Sequence, residues 1–97
     1  MSRIDQAKMA LKIKKVQKEL EREVIIIDKG DGAVSVEING EQKLKKIHID
    51  PKLVELDDIS QLERWLEDAI REAIQKSQHL ATEKMQPFMG LLSGLGM

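Results

Sequence analysis

The sequence has no cysteine and no tyrosine, and its 97 residues hold only one tryptophan, one phenylalanine and two prolines. Without cysteine, neither a disulfide framework nor a thiolate zinc site can form, which fits a reducing cytosol. With so few aromatic rings, stacking of single-stranded bases is a poor mode of binding. No apolar run approaches the roughly 20 residues of a membrane-spanning helix. The first hydrophobic residues are interleaved with lysines, unlike a signal-peptide core. The expected location is cytoplasmic, with no membrane partner. Charge of one sign is also lacking: sixteen Lys and Arg against seventeen Asp and Glu leave a net −1.

The distribution of charge says more than its sum. Residues 1–22 hold seven bases and three acids, a local +4, whereas residues 50–75 hold three bases and eight acids, a local −5. One end therefore presents a basic surface and another an acidic one. A chain this short buries only about 60–65% of its unfolded surface, so self-association is a reasonable expectation.

Residues 3–23, rich in Lys, Glu, Gln, Leu and Ala and free of Gly and Pro, predict a helix. At 100° per residue, Met9, Ile13, Val16 and Leu20 form one core-facing stripe, and Ile4, Ala7 and Leu11 cluster on nearly the opposite side. Lys8, Lys15, Lys18 and Arg22 lie away from the core stripe. The helix would run roughly 30 Å, longer than a three-stranded sheet needs, so its end is expected to project. "EVIII" (23–27) reads as a short strand. Val24 and Ile26 point one way, Ile25 and Ile27 the other, so both faces are apolar. "DKGDG" is a turn, and "AVSVEIN" alternates Val34, Val36 and Ile38 inward with Ser35, Glu37 and Asn39 outward.

Asn39-Gly40 signals a type I′ hairpin turn. In "QKLKKIHID", Leu44 is out of phase with Ile47 and Ile49, and a bulge near Lys45-Lys46 would reconcile them. Asp50-Pro51 reads as an N-cap followed by proline at the first helical position, with "KLVELDDIS" a short turn of helix. The main helix is expected over about 58–84, with Leu62, Leu66, Ala69, Ile70, Ala73, Ser77 and Leu80 on one stripe. The predicted fold is α+β, α-β-β-β-α, a three-stranded antiparallel meander flanked by two long helices. Residues 1–84 form the single domain, and 85–97 read as a flexible Met-, Leu- and Gly-rich tail with apolar Met85, Phe88, Met89, Leu91, Leu92, Leu95 and Met97. The tail's other reading is a docking segment.

Catalytic chemistry finds no constellation. "GDGAVS" (30–35) has Ser35 where a dinucleotide loop needs its third glycine, and a strand follows instead of a helix. His48 and His79 lack HxxxH or HxxE partners. Asp57, Asp58, Glu63, Glu67, Asp68 and Glu72 spread around a solvent face, and Asp28, Asp31 and Glu37 lack the spacing of a calcium loop. The expectation is no enzyme, no cofactor and no metal. What remains is the basic first helix, with Lys43, Lys45 and Lys46 on the third strand. Lysines favour phosphate contact over base reading, and two copies of the helix would double the local field.

Gly30, Gly32, Val34, Val36, Gly40, Ile49, Asp50 and Pro51 in this spacing resemble the core signature of the YbaB/EbfC family of bacterial nucleoid-associated proteins. "QAKMALKIKKVQKELE" (6–21) resembles the family's first helix, and "LERWLEDAIREAIQKSQHLATEKM" (62–85) its last. The resemblance spans residues 4 to 85. It implies a homodimer joined through the sheets, with helical arms that bind duplex DNA at low sequence specificity to organise the nucleoid or modulate transcription. Carried onto this chain, the DNA-binding candidates are Lys8, Lys12, Lys14, Lys15, Lys18 and Arg22, then Lys76 and Lys84, with Lys45 and Lys46 matching a basic pair before the Ile-Asp-Pro element. The dimer-interface candidates are Ile4, Leu11, Val24, Ile25, Ile26 and Ile27. The alternative is a protein-interaction module that docks a recombination or replication protein through the tail or the acidic helix.

Overall fold

Twenty helix-favouring residues with an acid in the first turn and a base in the last form α1, Arg3–Arg22, the charges complementing the helix dipole. A computed structural model describes the backbone from Arg3 to Leu95 and side-chain surroundings as far as Met89. The tail residues Leu91, Leu92, Leu95 and Met97 therefore lie outside the described side chains. After α1 come β1 (Ile25–Lys29), β2 (Val34–Ile38), β3 (Leu44–Ile49) and α2 (Ile59–Leu95). The strands form an antiparallel sheet in the order β1-β2-β3, so the expected α-β-β-β-α architecture is present. Glu23 and Val24 belong to the link before β1 rather than to the strand.

The alternation expected for β2 holds over Val34–Ile38, with Val34, Val36 and Ile38 all buried. Asn39, expected outward, is instead buried at 1% exposure, because its side chain bonds the loop and the end of α1. On β1, Ile27 joins that core and Ile25 packs against it. Ile26 and Val24 are left 55% and 62% exposed. The bulge is where the phase of Leu44 demanded it. Glu37 pairs with Lys46 and Ile38 with Leu44, which leaves Lys45 as the extra residue and returns Leu44 to the side of Ile47 and Ile49.

Two turns differ from the sequence reading. Asn39-Gly40 does not form a type I′ turn: the positive φ of the β2–β3 loop is at Gln42 (62°). The loop is longer, closed by the Asn39 amide donating to the Lys43 carbonyl at 3.0 Å. The reason is tertiary, because the Gly40 amide donates to the Leu20 carbonyl of α1 at 2.8 Å. A Cβ on Gly40 would sit 2.8 Å from that same carbonyl oxygen, so glycine is required for close approach. Asp50-Pro51 does not start a helix either. Asp50 Oδ1 accepts from the Lys52 amide at 3.0 Å and its carbonyl from the Leu53 amide at 3.1 Å, a closed turn. The stretch "KLVELDDIS" forms turns rather than helix until Ile59. Asp58 is the residue that caps α2, its Oδ1 accepting from the Gln61 amide (3.1 Å) and the Ser60 hydroxyl (2.9 Å).

The first half of α2 lies on β1 and β2. Ala69, Ala73 and Ser77, all 0% exposed, let it come close, with Leu62, Trp65, Leu66, Ile70 and Ile74 flanking the contact. Trp65 packs on the β1–β2 turn, where Gly30 has φ +64° and a Cβ would lie 2.7 Å from the indole. The helix continues past the expected end at 84, through Pro87, to Leu95. Among the other helices and strands α1 packs only on α2, so the later part of α2 and α1 together make an arm. Principal extents of 64 × 23 × 14 Å and a radius of gyration of 18.6 Å, against about 13 Å for a compact chain of 100 residues, show that the arm projects.

The arm is anchored at one polar knot. Ser77 Oγ donates to the Asn39 carbonyl at 2.6 Å and accepts from the Gln42 amide (3.0 Å) and Gln42 Nε2 (2.9 Å). Asn39 Oδ1 accepts from the amides of Glu41 and Lys43, and its Nδ2 donates to the Glu21 carbonyl of α1 at 3.3 Å. Every buried side-chain N or O among the described residues has a partner. Ser77→Ala would leave the Asn39 carbonyl with only the long bond from the Gln42 amide, 3.4 Å, and should lower unfolding stability by about 1–3 kcal/mol in urea titration. Gly40→Ala should cost a similar amount, about 1–3 kcal/mol, by overpacking against Leu20.

Candidate nucleic-acid interface

On α1 the stripe Met9, Ile13, Val16 and Leu20 turns to the interior, with Met9 and Leu20 buried and Ile13 and Val16 half-buried. That fixes what the opposite side shows. Lys8, Lys15 and Arg22 recur every seven residues, about 10.5 Å apart along the axis, and Lys14 and Lys18 flank them. Lys12 stands on the shoulder of the same helix. All six are exposed, and none is held in an ion pair among the described residues. Within this basic face, Leu11 with Lys14, Lys15 and Lys18 lines a shallow depression of about 270 Å³. Leu11 and Ile4 are each 67% exposed.

The remaining lysine candidates stand differently. Lys84 reaches back from α2 to Glu19 and Glu23, 3.5 Å from each carboxylate. It thus neutralises acids at the root of the arm, and its side chain is only 28% exposed. Lys76 is 3.7 Å from Glu72. Lys46 lies on the open face of the sheet beside Ile26, Ser35, Glu37 and His48, and Lys45 protrudes at the bulge. The structure therefore gathers the α1 cations on one face and leaves the others apart from it. Sequence reasoning missed the knot of Asn39, Gln42 and Ser77 that orients this face. Its one legible sign was a serine on the apolar stripe of α2.

Of the apolar residues expected at an interface, Ile27 belongs to the chain's own core and Ile25 is half-buried against it. Ile4, Leu11, Val24 and Ile26 are exposed. The acids of α2 are largely matched on their own helix, with Glu67 2.6 Å and Asp68 4.0 Å from the Arg71 guanidinium. His79 lies 2.9 Å from Glu83 on an exposed surface. No group of His, Cys, Asp and Glu among the described residues could hold a metal ion, and no helix there is long and apolar enough to cross a membrane.

The fold is thus a small α+β sheet that carries a two-helix arm with a basic outer face. Residues 2–92 match the model of the YbaB/EbfC DNA-binding family, and the chain belongs to that family, which is not a family of enzymes. A nucleoid-associated protein of Chloroflexus aurantiacus is 40% identical over 87 residues, covering 90% of this chain and 87% of the relative. One from Ruminiclostridium cellulolyticum is 34% identical over 91% of this chain and 76% of its own length. An uncharacterized protein from Helicobacter pylori shares the fold at a TM-score of 0.73 and 22% identity, covering 89% of this chain and 88% of that one.

One ion pair couples the helix and the sheet beneath the arm. Lys29 Nζ is 2.7 Å from Glu72 Oε2. The hydrogen bond and charge of Lys29 hold the Glu72 carboxyl below its ordinary value, and Glu72 holds the Lys29 ammonium above its own. A carboxyl depressed on folding contributes stability above its unfolded value and loses it as pH falls through the folded one. The raised ammonium contributes below the ordinary lysine range and loses its contribution as pH rises through the folded value. Glu72→Gln should therefore melt lower than wild type at neutral pH, with the gap closing in acid below the ordinary carboxylate range. Thermal melts across pH check this.

Proposed function

We propose that the chain works as a homodimer that binds duplex DNA through the outer face of α1, with little sequence preference, to organise the nucleoid or modulate transcription. The observation that carries this reading is the row of Lys8, Lys15 and Arg22 with Lys14 and Lys18, exposed on a projecting arm. The nearby acids Glu19 and Glu23 are already matched by Lys84. Flexible ammonium groups on an exposed helix suit phosphate oxygens, which lie at regular intervals and carry no base identity. Neutralising phosphates releases condensed counterions, so affinity should fall steeply with salt. Two arms in a dimer supply two such rows, enough to bridge or bend a duplex. Lys12 on the shoulder of α1, and Lys45 and Lys46 on the sheet, are secondary contacts in this reading. Lys76 and Lys84 act mainly through their acidic partners.

The test is fluorescence anisotropy of labelled duplexes of unrelated sequence, titrated at several salt concentrations. Charge reversal of Lys8, Lys12 and Lys15 together should weaken binding to all the duplexes alike. It should also flatten the salt dependence, by about 0.9 in log–log slope for each phosphate no longer neutralised. Unchanged affinity in the triple variant would reject the arm as the DNA-binding surface.

A further inference from the structure

The chain has a single asparagine, and glycine follows it, at Asn39-Gly40. An asparagine before glycine is open to intramolecular attack, because the glycine has no Cβ to shield its nitrogen from the asparagine Cγ. The Gly40 nitrogen bonds to Cγ and gives up its proton. The Cγ–Nδ2 bond breaks, ammonia leaves carrying that proton, and a succinimide ring closes. Water then opens the ring at Cγ to give aspartate, or at the former main-chain carbonyl carbon to give isoaspartate. In this fold the reacting atoms are all held. Asn39 is 1% exposed and Gly40 is buried. The nucleophile, the Gly40 amide, donates to the Leu20 carbonyl of α1 at 2.8 Å. The leaving group, Nδ2, donates to the Glu21 carbonyl at 3.3 Å. Oδ1 accepts from the Glu41 and Lys43 amides at 2.8 and 3.1 Å. Two such donors polarise the Cγ carbonyl towards attack. What restrains the reaction is therefore the grip of α1 on nucleophile and leaving group, together with the exclusion of water.

We infer that Asn39-Gly40 is a deamidation site latched by α1, closed while the helix is seated and reactive when its last turn lifts. α1 is the element best placed to lift. Among the other helices and strands it packs only on α2. Besides the Asn39-Gly40 loop, its end is held by Lys84, 3.5 Å from both Glu19 and Glu23, and partly exposed pairs of this kind hold weakly. Local opening of such a peripheral element costs less than global unfolding. The chemistry then makes the lifted state persist. An aspartate side chain is acceptor-only, so an oxygen would face the Glu21 carbonyl where Nδ2 now donates. Isoaspartate carries the main chain through Cβ and Cγ, which displaces the Gly40 amide from the Leu20 carbonyl. There is no slack for that shift, since even a Cβ on Gly40 would sit 2.8 Å from Leu20. Either product removes bonds that orient α1. The modification is a one-way release of the arm, whatever the arm binds.

The test incubates the full chain at mildly alkaline pH over a series of urea concentrations. Deamidation is read as the amide-to-acid mass gain in the peptide that contains residue 39. Isomerisation at Asp31-Gly32, where Asp31 is exposed in its turn, changes no mass and does not enter. Fluorescence of Trp65, packed on the β1–β2 turn, reports the core in the same samples. The unfolded chain should react at least about tenfold faster than the native one. The rate should begin to climb while Trp65 still reports a folded core, because α1 lifts first. Leu20→Ala should raise the native rate roughly fivefold or more, and so should Met9→Ala, on the same buried stripe about three turns away. Asn39→Asp, which carries a product side chain, should show faster hydrogen exchange in α1 than wild type and unchanged exchange in the sheet. A native rate equal to that of the unfolded chain would overturn the latch. A rate that climbs only with loss of the Trp65 signal would make global unfolding the gate and overturn the role of α1, whether or not the variants fold. Wild-type exchange of α1 in Asn39→Asp would overturn the release of the arm.

Discussion

The hydroxyl of Ser77 is where the two helices and the sheet are joined. It lies fully buried on α2 and satisfies the carbonyl of Asn39 and two nitrogen donors of Gln42. Through Asn39 Nδ2 and the Gly40 amide, the same loop holds the last carbonyls of α1, at Glu21 and Leu20. Apolar packing has no direction of its own. It would let α1 slide along α2 or rotate about its axis. Hydrogen bonds from a fixed loop to the final turn of α1 set its height and orientation. The face turned outward follows from that constraint.

The second organising feature is the division of α2 into two uses. Its first half carries small residues, Ala69 and Ala73, where the sheet lies close, and large ones, Trp65, Leu66 and Ile70, at the sides. Its later half leaves the sheet and supports α1, so that a short chain builds both a core and a long arm. The core gains little area from this arrangement, and β3 remains uncovered on its helix side.

Electrostatics on the arm is a matter of sorting rather than of net charge. The whole chain is close to neutral, at −1. Packing of α2 on α1 brings Lys84 to Glu19 and Glu23, and packing of α2 on β1 brings Lys29 to Glu72. These contacts match acids with cations at the base of the arm. Among the described residues the outward cations of α1 are left without acidic partners of their own, which gives a near-neutral protein a locally basic surface.

Much of this was legible along the chain because it depends on neighbours in sequence. Helical periodicity named Met9, Ile13, Val16 and Leu20 as the inner stripe of α1 and so the lysines as its outer face. Strict alternation named Val34, Val36 and Ile38, and the broken phase of Leu44 announced the bulge at Lys45. Tertiary structure decided the rest. Asn39-Gly40 has the composition of a tight hairpin, yet the need to reach Leu20 opened it into a longer loop. Asp50-Pro51 has the composition of a helix start, yet a local turn closes there, and Asp58 caps the helix instead. Which lysines meet an acid, and which isoleucines of β1 and β3 face a helix or solvent, depended on contacts between residues far apart in sequence. Local pattern determines which side of an element is apolar. Only packing determines what, if anything, covers it.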